Sequence, residues 1–302
     1  MRKIIWLGLA VAALALIVAI AGPFLGNAYL LNDAKREIRE RLGLPKFWVT
    51  TFNTNVAAYE ERTCPNDNPI IIVTGGQSNA ANSYDRPPSA VPNDQSYMIF
   101  NGRCYGLKSP VLGTTGDGDS LWPALGNAIH RQSGRPVLFI NGAVGGVQLG
   151  DWLDDRSGYL KRLSDQLRQA RQKGYRPDYV LWIQGETDAN TLIDPNLYVN
   201  QQKALIDRLD QTGLIDRATP WLLYRSTRCM HRRNNGPDID AAMTRFTHGS
   251  PRFLTGPLVS AYDDSYRRDT CHLNRRGRDR LVADTMQVLG PRLSGLAVSN
   301  GR

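Results

Sequence analysis

Residues 69–80 read Pro-Ile-Ile-Ile-Val-Thr-Gly-Gly-Gln-Ser-Asn-Ala. A β-branched run this short, bounded by a proline and two glycines, reads as a strand apolar on both faces. Gly75 and Gly76 permit a tight turn that lifts Ser78 to the strand tip. Working outward, residues 137–141, 179–184, 221–225 and 252–259 are runs of the same kind, giving five strands. Between and after them, residues 120–132, 159–173, 195–211, 239–248 and 274–289 carry helical spacing. Strand–helix alternation of this sort predicts a parallel sheet covered by helices on each face. In such sheets chemistry collects in the loops past the carboxyl ends of the strands, here after Thr74, Asn141, Trp182, Arg225 and Val259. A lone Gly-x-Ser after a strand is weak evidence, because serine is also an ordinary helix N-cap. A phosphate-binding loop is excluded, since no lysine follows the glycines.

The N-terminus has a different composition. Arg2 and Lys3 precede an uncharged run that is almost wholly apolar over residues 4–21. Eighteen apolar residues nearly suffice to span a bilayer, and the positive-inside rule sends the rest of the chain outward. Residues 1–31 are therefore expected to be a single-pass anchor, with a signal peptide cleaved after Ala21 as the alternative. Residues 32–68, with a short charged helix over 32–41, read as a stalk, 69–295 as the domain and 296–302 as a tail. Four cysteines, Cys64, Cys104, Cys229 and Cys271, fit an oxidising space, and none forms a C-x-x-C pair that would suggest metal or thioredoxin chemistry. Three pairings are open, and the order of elements favours Cys64–Cys104 and Cys229–Cys271. A net charge of +9 suits an anionic partner such as an acidic glycan or membrane surface, or else marks a solvated basic face. No basic block interleaved with aromatics points to nucleic acid.

Near the C-terminus, Asp269-Thr270-Cys271-His272 sets a carboxylate and an imidazole three residues apart, on one side of a turn. Asp269 can accept the Nδ1 proton of His272 and leave Nε2 free as a base. His130 and His248 lie near helix ends, where a histidine merely complements the dipole. His231 is a second choice, without an acid at close spacing. Asn141-Gly142-Ala143-Val144-Gly145-Gly146 is a glycine turn suited to aiming N–H groups at an oxyanion, and the third strand ends in Gln184-Gly185-Glu186-Thr187-Asp188. Nucleophile, base, orienter and N–H donors, the parts acyl transfer requires, thus each fall at a strand end. Gly76-x-Ser78-x-Ala80 also approaches the nucleophile elbow of α/β-hydrolases. There, however, the serine comes mid-chain and the acid lies far from the histidine.

Gly-Gln-Ser-Asn at 76–79, Gly-Gly at 145–146 with Trp152 following, Gln-Gly-Glu-Thr-Asp at 184–188 and Asp-x-x-His at 269–272 resemble the four sequence blocks of SGNH hydrolases. They are more closely similar to the sialate O-acetylesterase and acetylxylan esterase branch, over residues 69–290. The resemblance implies a three-layer α/β/α sandwich with a flavodoxin-like, five-stranded parallel sheet, and no metal or other cofactor. It implies Ser78 as nucleophile, His272 as base and Asp269 as its orienter. The N–H groups of Ser78 and Gly146 become the oxyanion donors. The Gln184 amide becomes the third, in place of the asparagine that most of the superfamily carries. Gln77, Asn79, Gly145, Glu186 and Asp188 remain as candidate substrate contacts. The expected activity is removal of acetyl groups from an extracytoplasmic glycan, with the domain on the outer face of a bacterial inner membrane and envelope polysaccharide proteins as possible partners. The alternatives are an O-acetyltransferase using the same triad and a non-catalytic glycan-binding subunit. Arg267, Arg268, Arg275, Arg276 and Arg278, together with Arg225, Arg228, Arg232 and Arg233, read either as a rim for acidic sugars or as a solvated basic face.

Overall fold

The computed structural model describes residues 51–88, 95–230 and 234–296. The expected anchor and most of the stalk lie outside these, as do His231, Arg232 and Arg233; no helix among the described residues is long and apolar enough to cross a membrane.

The first long apolar run forms β2 (Ile70–Gly76), and all seven of its residues are buried. The other four expected runs form β5 (Val137–Asn141), β6 (Tyr179–Gly185), β7 (Trp221–Ser226) and β8 (Phe253–Leu258). They lie side by side in the order β5-β2-β6-β7-β8, all parallel. Pro257 sits in β8, an edge strand, the place in a sheet where a proline is tolerated.

Helices α1 (Trp122–Ser133), α2 (Leu149–Leu153), α3 (Tyr159–Gln172), α4 (Glu186–Asn190), α5 (Pro195–Gln211), α6 (Gly236–Thr247) and α7 (Arg275–Leu296) fill the connections. Local sequence sets their ends. Asp194 Oδ1 accepts the N–H groups of Asn196 and Leu197 at 2.9 Å each, and Pro195 opens α5 where a proline ring fits. Strand alternation divides the apolar side chains between two layers. Ile70, Ile72, Phe139, Leu181 and Leu222 join Trp122, Leu125, Leu281 and Leu289 in one cluster, beneath the packed pair α1 and α7. The intervening residues of the same strands are also buried. Trp182 meets Trp152 at 4.8 Å and Trp221 at 6.0 Å between ring centroids. Each large side chain so buried contributes about 1.5–3 kcal/mol.

The sheet is larger than expected: β1 (Glu61–Arg62), β3 (Ser96–Phe100) and β4 (Arg103–Gly106) bring it to eight strands among the described residues, in the order β1-β4-β3-β5-β2-β6-β7-β8. β3 pairs parallel to β5, while β4 is antiparallel to both β3 and β1. The hairpin turns at Asn101-Gly102, both left-handed at φ 49° and 73°, a dipeptide that is a strong short-range hairpin signal. Residues 51–68, read as the end of the stalk, are tied to the domain. Phe52 bridges to Thr115, β1 extends the sheet, and Cys64 is bonded to Cys104.

Candidate active site

β2 ends in a turn that its own glycines make possible. Gly76 has φ 112°, and a methyl group there would meet Ile183 O at 1.9 Å, while one on Gly75 would strike the Trp182 ring at 2.1 Å. Neither position tolerates a side chain. The chain then makes one 3₁₀ turn, Ser78–Ala80, whose carbonyls are all held: Ser83 Oγ donates to Ser78 O, Tyr84 Oη to Asn79 O at 2.8 Å, and Trp122 Nε1 to Ala80 O at 2.8 Å. The Ser78 side chain takes no part in this bracing.

Past β8, the loop carrying Asp269 and His272 is organised from within. Asp269 Oδ1 accepts the N–H of Cys271 at 2.8 Å and of His272 at 2.6 Å, and Oδ2 lies 2.9 Å from His272 Nδ1. Burial works against ionisation of Asp269, but those bonds from His272 and Cys271 outweigh it and hold the carboxyl well below the usual carboxylate range. The imidazole is thereby oriented by an anion at Nδ1, which leaves Nε2 as its proton-accepting atom.

The two loops are joined by one residue. Asn79 Oδ1 accepts the N–H of Leu273 at 3.3 Å, and Asn79 Nδ2 donates to Cys271 O at 3.4 Å. The residue after Ser78 thus grips the chain on both sides of His272. Asn79 Nδ2 also donates to Glu186 Oε1 at 2.5 Å, and Ser226 Oγ donates to the same oxygen at 2.7 Å. Arg267, buried, donates to the carbonyls of Cys271, Val259, Tyr262 and Arg228 and so knits this loop together.

This network revises several expected roles. Gln184 is buried, and its Nε2 faces three acceptors: Gln77 Oε1 at 3.0 Å, Val147 O at 2.9 Å and Asp188 Oδ2 at 2.8 Å. With both amide protons engaged beneath the site, Gln184 is not placed to donate to an oxyanion. Gln77, Asn79, Glu186 and Asp188, expected as substrate contacts, are likewise buried. Gln77 Oε1 accepts from Gln184 and from the N–H of Thr187 at 3.2 Å. Asp188 Oδ1 accepts the Leu149 N–H at 2.9 Å. They form a polar floor that fixes the strand ends. Of that group only Gly145 reaches the surface. Its N–H donates to Thr115 Oγ1 at 2.7 Å, and a methyl built on it would lie 3.7 Å from Ser78 Cβ, so the glycine loop passes beside the serine. Gly146 is left-handed (φ 76°) and borders open space. The N–H groups of Ser78 and Gly146 meet no acceptor among the described residues.

The floor makes stability pH-dependent. Burial pushes Asp188 up to about 7, against bonds from Gln184 and the Leu149 N–H. The folded chain therefore keeps a proton that the unfolded chain releases above about pH 4. Stability from this group is full below pH 4 and lost as pH rises through 7. Between pH 4.5 and 7.5 the unfolding free energy of Asp188→Asn should fall less than that of the parent, by roughly 3 kcal/mol, whatever its absolute stability. Equal changes in unfolding free energy between the two pH values for parent and variant, from urea titrations at each, would contradict this.

The arginines divide. Arg278 is buried against Asp119 at 2.7 Å, Arg228 pairs with Asp264 at 2.8 Å, Arg276 lies over the Tyr266 ring at 4.6 Å, and Arg225 donates to Gly256 O and Thr244. Arg268 Nε lies 3.5 Å from Asp269 Oδ2. Most of this cluster is therefore structural. His130, bonded to Arg135 O at 2.9 Å, and His248, capping α6, stand apart from the site. Among the described residues no three metal-binding side chains converge.

Both favoured disulfides are formed, Cys64–Cys104 and Cys229–Cys271. The second ties the loop after β7 to the residue before His272, and Met230 N–H donates to Thr270 O at 3.0 Å beside it. It closes a separation of 42 residues, worth roughly 4 kcal/mol in the chain-entropy model. Reduction should lower kcat at least tenfold while circular dichroism is still native, because a small displacement of His272 is costly. Unchanged kcat up to the unfolding transition would contradict that role.

The chain has a family match and several structural neighbours. A family model described as carbohydrate esterase, sialic acid-specific acetylesterase, matches residues 70–286. No curated protein sequence matches the chain. Among solved structures, a protein of Arabidopsis thaliana is 18% identical over 77% of this chain and 99% of its own, with a TM-score of 0.59. A family two carbohydrate esterase from Clostridium thermocellum, solved with cellohexaose, is 15% identical over 77% of this chain and 67% of its own, with a TM-score of 0.51. NanS is 13% identical over 77% and 99%, with a TM-score of 0.50. These likenesses show the shared α/β fold.

Proposed function

The chain belongs to the sialic acid-specific acetylesterase family of carbohydrate esterases, and from that premise we propose that it hydrolyses O-acetyl groups on a glycan through Ser78, His272 and Asp269. Ser78 Oγ attacks the acetyl carbonyl as His272 Nε2 takes its proton. The resulting oxyanion is held by the N–H groups of Ser78 and Gly146. Collapse releases the sugar alkoxide, which His272 protonates, and leaves an acetyl-enzyme. Water, deprotonated by the same imidazole, then frees acetate and restores Ser78. Asp269, kept ionised by its surroundings, holds the ring in the productive tautomer and stabilises the imidazolium.

The observation that carries this reading is the grip of Asn79 on both sides of His272, which couples the serine turn to the acid–base loop. The buried floor of Gln77, Gln184, Glu186 and Asp188 acts by positioning. Two disulfides and the basic-then-apolar N-terminus support a domain on the outer face of a bacterial inner membrane, where an acetylated envelope glycan is the substrate.

Incubation with acetylated sugars, with and without an acceptor glycan, tests the reaction. Free acetate equal to ester consumed, with or without acceptor, is expected. Acetyl groups recovered on the acceptor would make the protein a transferase, and no ester consumption would make it a binding subunit.

A further inference from the structure

Four non-glycine residues among the described residues have left-handed backbone: Asn68, Asn101, Leu192 and Met230. Asparagine visits that region readily, and these two asparagines lie away from the site, before β2 and in the β3–β4 turn. The other two are long apolar residues, for which the conformation is costly. Both lie on loops that leave neighbouring strands at the site edge, Leu192 after β6 and Met230 after β7.

The local reason for the left-handed turn at Leu192 is clear. Helix α4 ends in a Schellman motif: the Leu192 N–H donates to Ala189 O at 3.1 Å and the Ile193 N–H to Asp188 O at 3.3 Å. The position that turns left-handed in this motif normally carries glycine. Here it carries leucine, and its side chain gains nothing from burial, being 62% exposed. A strained backbone holding an apolar side chain out into water needs another reason, and such outliers gather at ligand sites.

Its location supplies one. Thr191 Oγ1 accepts a bond from Gln148 Nε2 at 2.6 Å, and Gln148 lies two residues past Gly146. Met230 is fixed to the His272 loop by its bond to Thr270 O and by the Cys229–Cys271 disulfide. Asn235 Nδ2 donates to Ile193 O, and Asn234 Nδ2 to Asn190 Oδ1 at 3.3 Å, tying the loop after β6 to the one after β7. His272 must reach the departing alkoxide, so the alcohol part of the ester lies on the His272 side of Ser78. The ends of β6 and β7 are on that side, whereas Gly146 follows β5 on the other.

We propose that Leu192, with Met230 on the adjoining loop, is the apolar contact for the carbohydrate part of the ester, presenting hydrocarbon to the C–H face of a pyranose ring. The assignment rests on the esterase reading above. An ester whose alcohol part is a single methyl group offers these side chains no ring face to hold.

The test compares the parent with Leu192→Gly and Leu192→Met on a panel of mono-O-acetylated methyl pyranosides and on methyl acetate, whose alcohol part is too small to reach these side chains. Glycine suits the backbone, so Leu192→Gly should melt no lower than the parent. Its KM for the preferred sugar ester should rise roughly tenfold, with methyl acetate kcat/KM unchanged within twofold, and Leu192→Met should restore KM. An unchanged sugar-ester KM, or an equal loss on both substrates, overturns the assignment. Ser78→Ala reads the premise separately: retained methyl acetate turnover there removes the esterase reading and this assignment with it. Lost turnover in that variant, with sugar-ester KM unaffected in Leu192→Gly, overturns the assignment alone.

Discussion

Ser78→Ala should lower kcat on an acetyl ester by roughly a hundred-thousandfold or more, about 7 kcal/mol of barrier, with melting temperature and circular dichroism unchanged. The size follows from the proposed role of Ser78 as the attacking oxygen, since the oxyanion donors alone leave only a small residual rate. The unchanged fold follows from the way the turn is held. Ser83, Tyr84 and Trp122 bond the carbonyls of Ser78, Asn79 and Ala80, and none of these bonds involves the Ser78 hydroxyl. Alanine fits the same backbone and adds no atom beside the glycine loop. A variant retaining more than a few per cent of parental kcat would remove Ser78 from the chemistry.

Asp269→Asn should lower kcat by roughly a thousand- to ten-thousandfold, with KM little changed. The asparagine oxygen can still accept the N–H groups of Cys271 and His272, so the loop keeps its shape. The amide nitrogen, however, would face His272 Nδ1 where Oδ2 stood at 2.9 Å. Two donors cannot meet there, so the ring shifts its proton to Nε2 and loses the atom that should accept from Ser78. The neutral imidazole would be the wrong tautomer rather than absent, and raising the pH should not restore activity. Recovery of kcat at high pH would show that Asp269 acts through its charge alone.

Much of this could be read from the sequence because the decisive features are local. Runs such as 69–74 and 137–141 are apolar on both faces, and only a covered parallel sheet buries both. All five expected strands are present and adjacent. Asp269 and His272 are three residues apart, so their contact needed no tertiary information. The hairpin over β3 and β4 was missed although Asn101-Gly102 announced it, and with it went the outer third of the sheet. Gln77, Gln184, Glu186 and Asp188 were assigned to donor and substrate roles because polar residues at a strand's carboxyl end suggest a ligand. Their burial depends on how four loops fold over one another, which periodicity does not report. One local signal existed: Gln184 continues a strand, after Trp182 and Ile183, whose every residue is covered. A polar side chain inside such a strand must be satisfied from within. The basic residues were similarly ambiguous, since only tertiary structure separates the buried Arg267 and Arg278 from the exposed ones.

The central claim is that Ser78 becomes the acyl carrier, and labelling tests it most directly. The protein is treated with a fluorophosphonate, its intact mass recorded, and the adduct mapped by peptide sequencing beside Ser78→Ala and Asp269→Asn. The account predicts one adduct per chain, on Ser78, formed in step with loss of esterase activity, absent from the alanine variant and much slower in the asparagine variant. An adduct on any other residue, or full activity in a chain fully labelled at Ser78, would contradict it.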